Sequence, residues 1–119
     1  MRTWVDQSNF HSSMKTLTTD VRHSASALRD VTTSSASLHT VCAVLLVDTE
    51  SANASLPTPD NQSTALLSRA YTSIGAGANQ CYKAGADPLA RAAAIASLAK
   101  GLSVLAEATV RVDVVSLSH

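Results

Sequence analysis

Apolar residues recur along most of this chain at alternating steps of three and four, the spacing that places them on one face of an α-helix. The first series runs Phe10, Met14, Leu17, Val21, Leu28, Val31, Leu38, Cys42 and Leu45, with only Ser24 and Ser35 interrupting it. A second comprises Leu67, Tyr71, Ile74, Ala78 and Cys81. A third follows Leu89, Ala92, Ala96, Ala99, Leu102, Leu105 (shifting to Ala106), Thr109 and Val112. Spacing of this kind, kept over many turns, is what bundles and coiled coils require. It predicts an all-α fold, a single-domain antiparallel bundle of three long helices over about 8–52, 59–84 and 88–114.

Stop and start signals fix the boundaries. In Tyr82–Pro88, Lys83 suits a last turn, and Gly85 can take the left-handed conformation that ends a helix. Asp87 then caps the next helix, Pro88 stands at its first position, and Arg91 lies four residues on from Asp87. At Thr58-Pro59-Asp60, Thr58 reads as the cap and Asp60 as first-turn charge. Pro57 and Pro59 forbid a continuous helix through the polar linker 51–57. Thr32-Thr33-Ser34-Ser35 is the weak stretch of the first helix, since these side chains lose rotamer freedom or bond the backbone instead. The apolar series keeps phase across it, which predicts a bend near Thr32–Ser35; a break there would make four helices.

At about 1.5 Å of rise per residue, an unbroken first helix would be about 65 Å long against about 40 Å for the others. It would overhang them. Phe10, Met14, Leu17 and Val21 on its N-terminal turns would then form an interaction surface for a second copy or a protein partner, unless those turns fold back.

Composition narrows the chemistry. Hydrophobic residues make up 45% of the chain but aromatics only 3%, so the core must be built of Ala, Val and Leu. Small side chains favour close helix packing over an aromatic-walled ligand pocket. Nine basic residues balance nine acidic ones, which argues against nucleic acid as a partner. The longest apolar run, Val41 to Val47, is far short of the roughly 20 residues of a membrane span. Met1 to Lys15 shows no secretory pattern, which points to a cytoplasmic protein or one exported without a cleavable signal.

Candidate reactive groups are sparse. Counted along an antiparallel hairpin, Cys42 and Cys81 fall about 18 Å apart, well beyond the roughly 7 Å limit for a disulfide, so two buried free thiols are expected. His11, His23, His39 and His119 read as solvated. The acidic residues are scattered, with no metal-site spacing, and no nucleophile elbow or phosphate loop occurs. No cofactor is implied. Gly75-Ala76-Gly77 in mid-helix costs roughly 1 kcal/mol per glycine against Ala, and predicts a close crossing with the Ala-rich stretch 90–99.

An Ala/Ser/Thr-rich helical hairpin of this length, without a cleavable signal, resembles in style the small proteins exported by type VII secretion in actinobacteria. Its turn reads Ser55-Leu56-Pro57-Thr58-Pro59 with no Trp-x-Gly, and Tyr82 is followed by Asp87 at five residues instead of four. No functional residue is carried over. The residues favour a non-enzymatic helical interaction protein, a homo-oligomer or partner binder. The alternative is a small-molecule binder or enzyme with a site between helices, near Tyr71, Tyr82 and the glycines.

Overall fold

The computed structural model describes residues 1–118, and His119 lies outside them. Among the described residues there are five helices and no strand: α1 Arg2–Gln7, α2 Phe10–Arg29, α3 Ser35–Asn53, α4 Asn61–Ala84 and α5 Pro88–Leu117. α2 to α5 form an antiparallel ring in which α4 and α5 pair most closely, and α2 and α5 close the ring more loosely. α1 folds over one end, where Trp4 packs on Phe10 and its Nε1 donates to the Ser55 carbonyl at 3.0 Å.

The first predicted helix is three. Asn9, in the left-handed region at φ 55°, turns the chain between α1 and α2. The bend foreseen at Thr32–Ser35 is a complete break. Asp30 takes an extended conformation, and its carboxylate accepts from the Thr32 amide at 2.9 Å and the Thr32 hydroxyl at 2.7 Å. Ser34 then caps α3 by accepting from the Ser37 amide at 3.1 Å. Two of the hydroxyls that weaken a helix interior thus find partners once the helix stops, Thr32 on the Asp30 carboxylate and Ser34 on a backbone amide. Val31, part of the apolar series, is left in the loop and 91% exposed.

The break removes the overhang. Phe10, Met14, Leu17 and Val21 are all buried in the common core, so the surface expected there does not exist. With α2 only 20 residues long, its partners reach its full length.

Asp87 caps α5 through the Leu89 amide at 3.0 Å, Pro88 occupies the first turn, and Gly85 has φ 57°, all as the sequence reads. The α4 start differs. Asp60, not Thr58, is the cap, accepting from the Ser63 amide at 2.9 Å and the Ser63 hydroxyl at 2.7 Å. Arg111 grips the same carboxylate in a bidentate pair at 3.0 and 3.1 Å.

The expected free thiols are instead joined. Cys42 and Cys81 form a disulfide with Cα atoms 5.9 Å apart, and both are fully buried. The 18 Å separation assumed that the hairpin turns at once. Residues 54–60 instead climb along the bundle, which sets Asn53 beside Tyr71 and slides α4 about nine residues, or about 14 Å, past the end of α3. Seven extended residues span up to about 23 Å, so the linker covers that offset.

Glycine marks the α4–α5 crossing, at one predicted position and one new one. A Cβ on Gly77 would lie 2.7 Å from Leu98 Cδ2, and one on Gly101 would lie 2.5 Å from Ile74 Cγ1. A Cβ on Gly75 meets nothing within 4 Å. Gly75→Ala should therefore stabilise the protein by about 0.5–1 kcal/mol through helix propensity alone. Gly101→Ala should cost about 1–3 kcal/mol by overpacking, despite the same propensity gain. Urea denaturation of both variants checks this; equal shifts would contradict the crossing.

The stripe assigned to the last helix lies on the wrong face. α5 buries Arg91, Ala94, Leu98, Gly101, Val104, Leu105, Ala108 and Val112, while Leu89, Ala92, Ala96, Ala99 and Ala106 face outward. Of the predicted positions only Leu105 and Val112 are buried, with Leu102 and Thr109 partly so.

Candidate functional site

α5 is the unusual surface of this bundle. An outer helix normally presents charge to water. From Ala92 through Ala96, Ala99, Ser103, Ala106 and Val110 to Val114 and Leu117, the outward strip of α5 carries none. Lys100 and Glu107 flank it and do not interrupt it. Val110, Val114 and Leu117 are 63%, 53% and 78% exposed. By length and composition α5 could cross a bilayer, but a third of its apolar stretch is packed inside the bundle.

The N-terminal half of this strip borders the loose α2–α5 seam, where two recesses of about 240 and 160 Å³ adjoin. The larger lies at the end of the bundle, between Leu28 and Val31 on one side and Pro88 and Ala92 on the other. Val21, Ala25, Ala99 and Leu102 line the smaller one, and Arg29 and Ile95 border both. Arg22 and Arg29 stand on the α2 rim. No acidic side chain lines either recess.

Beneath the larger recess Arg91 turns inward. It does not pair with Asp87 four residues before it. Its Nε donates to the Gly85 carbonyl at 2.7 Å, and its two terminal nitrogens donate to the Asp30 and Thr33 carbonyls at 2.9 and 2.8 Å. The sequence offered one signal for this: Arg91 sits at a helical position whose neighbours along the buried face, Ala94 and Leu98, are apolar.

Tyr71 and Tyr82, the alternative ligand site, do not converge. They lie eleven residues apart on α4, about 16 Å. Tyr71 is buried, and desolvation pushes its hydroxyl pKa upward. Tyr82 stacks outside on His39, with ring centroids 4.3 Å apart. His11 pairs with Asp113 at 3.0 Å on the surface, and His23 is exposed. No group of three or more potential metal ligands occurs among the described residues.

One pair of carboxyl groups does meet. Asp20 on α2 faces Asp48 on α3, beside a hydroxyl-lined hollow formed by Ser12, Ser13, Thr16 and Ser51. Burial, then the hydrogen bond and charge of Asp48, raise the Asp20 pKa to about 7. Among the described residues no N–H or hydroxyl reaches the buried Asp20 Oδ2.

The sign of the pH effect follows. An unfolded Asp loses its proton near pH 4, whereas the folded Asp20 keeps it to about pH 7. Stability should therefore fall as pH rises from about 4 to about 7, by at most about 1.4 kcal/mol per pH unit and in total nearer 1–2 kcal/mol, because Asp20 retains contact with water. Asp60 works in the opposite sense. Arg111 and Ser63 hold its carboxyl well below the usual range, so its contribution is lost only in stronger acid. Asp48→Asn should flatten the decline between pH 4 and 7 and leave the variant more stable than wild type at pH 8. Urea midpoints at pH 4.5, 6 and 8 measure this; parallel profiles for the two proteins would disprove the pairing.

Comparison with known proteins returns no matching family model, no curated relative and no matching solved structure. The fold defines a class, small all-α antiparallel bundles, and function has to be argued from the surface.

Proposed function

We propose that this protein is a non-enzymatic helical interaction module that associates through the apolar outward face of α5, with a second copy or with a protein partner. One observation carries the reading: the outward strip of α5 from Ala92 to Leu117 holds no charged residue between the flanking Lys100 and Glu107, and Val110, Val114 and Leu117 at its C-terminal end are more than half exposed. Positions 110, 114 and 117 repeat at four and three, the spacing by which one helix seats against another. Covering them removes apolar area from water, worth about 25 cal/mol per Å². The Cys42–Cys81 disulfide supports the exported alternative over the cytoplasmic one, since such bonds persist in oxidising compartments.

Light scattering on the purified protein tests it. The expected mass exceeds the 12.3 kDa of one chain, and Val110→Glu with Leu117→Glu should restore the monomer without lowering helicity. A wild-type monomer that also brings down no partner from its own host would count against the proposal.

A further inference from the structure

We infer that the α2–α5 groove receives an amphipathic helix from a partner protein, one that presents two carboxylates seven residues apart along its edge. The inference rests on the reading of this chain as an interaction module, and names the partner's chemistry at a second surface.

The groove has the shape of a helix site. Its two recesses follow the seam between antiparallel helices, centred about two helical turns apart, and each is the size of one or two side chains. A third helix laid along the seam would drop an apolar residue into each. The α5 wall offers small residues, Ala92 and Ala99, which let a backbone approach closely.

Charge decides which helix. Arg22 and Arg29 stand seven residues apart on one face of α2, about 10.5 Å, and both line the groove. Among the described residues neither has a hydrogen-bond or ion-pair partner, although Arg91 in the same neighbourhood has three. Lys15 extends the row by another seven residues. The exposed residues of the facing α5 wall carry no charge, and its one cation, Arg91, is buried and taken up by three carbonyls. A helix whose apolar edge meets α5 and whose acidic edge meets α2 satisfies both walls.

Two alternatives fit less well. A single-chain amphiphile has one head group, which cannot neutralise two cations about 10.5 Å apart. A second copy lacks the pattern: no two acidic residues of this chain are seven apart, the nearest case being Glu107 and Asp113 at six, with Asp113 already engaged by His11.

The probe is a fluorescein-labelled helical peptide of about 18 residues, long enough to hold helix, with Leu at two positions seven apart and Glu at two flanking positions seven apart. A matched peptide carries Lys in place of Glu. Fluorescence anisotropy should show saturable binding of the acidic peptide that weakens as salt rises from about 50 to about 300 mM. Arg22→Glu with Arg29→Glu should weaken it at least about tenfold and confer binding of the Lys peptide. Both arginines are exposed, so the variant should keep its helicity. Failure of the acidic peptide to bind, equal binding of the two peptides, or binding of dodecanoate with none of the peptide would each overturn the inference. Light scattering of the double variant separates the two readings. An unchanged assembly through α5 with no peptide binding would remove the groove proposal alone, and a monomeric wild type that still bound the acidic peptide would remove self-association alone.

Discussion

Opening the Cys42–Cys81 bond should lower the unfolding free energy by about 4 kcal/mol. The bridge closes a loop of 39 residues, and confining such a loop in the denatured chain is worth about that much in the chain-entropy account. Both cysteines are fully buried between α3 and α4, and the loop encloses the slow-turning linker 54–60 together with the start of α4. Losing the link therefore releases the element whose path sets the register of the whole bundle. For a chain of this size the expected fall in melting temperature is roughly 15–20 °C. The measurement is thermal unfolding of oxidised protein against protein reduced in denaturant, alkylated and refolded, with a Cys42→Ala, Cys81→Ala variant as a second route. Two curves within about 3 °C would mean that the bond adds nothing to the native state. Because the sulfurs are shielded, mild reductant without denaturant should act only on opened molecules, and the rate of thiol appearance would then report the opening of α3 from α4.

Why that bond was hidden in the sequence, while its two helices were plain, is a matter of scale. Residues three or four apart report which face of a helix is apolar, so Leu67, Tyr71, Ile74, Ala78 and Cys81 are buried as the spacing predicts. How far one helix slides past the next is set by the linker, and a polar linker rich in proline carries no periodic signal. The break at Asp30–Ser34 was legible in kind but not in degree: Thr and Ser announce a weak helix, yet the carboxylate of Asp30 and the hydroxyl of Ser34 decide that it stops. The face of α5 fails for the opposite reason. Where nearly every residue from Ala90 to Leu105 is small or apolar, periodicity has no polar side to fix its phase, and only packing against Ile74 and Gly77 chooses it. The surface read from the first helix, Phe10 to Val21, fell with the overhang. The exposed strip of α5 has the same origin, since a helix this poor in polar residues gives water few charges, Lys100 and Glu107 beside the strip, and leaves the rest of its outer face small or apolar.

Arg91→Ala should cost about 3–5 kcal/mol, because it strips three main-chain carbonyls of their charged donor at once. The side chain is almost wholly buried, and all three of its hydrogen bonds end on main-chain carbonyls: Gly85 just beyond α4, and Asp30 and Thr33 in the turn after α2. Two helix C-termini converge on one guanidinium there, so their negative dipole ends and their unpaired carbonyls are answered together. Alanine would leave those oxygens in a site where water enters poorly. Arg91→Lys separates charge from geometry. An ammonium keeps the positive charge but lacks the planar fork that reaches three separate oxygens, so it should recover less than half of the loss. Arg91→Met, which retains most of the stem, should fall close to Ala if the hydrogen bonds dominate and close to wild type if packing does. Urea midpoints rank the four proteins. Hydrogen exchange should place the loosening at residues 30–35 and 85–88 and leave the Asp60–Arg111 end protected. Because Arg91 also floors the larger recess, the same substitution should weaken the acidic peptide while Arg22 and Arg29 remain in place. A variant that melted with the wild type would show that the two loops hold their shape without it, and that the groove's wall is made by the apolar residues alone.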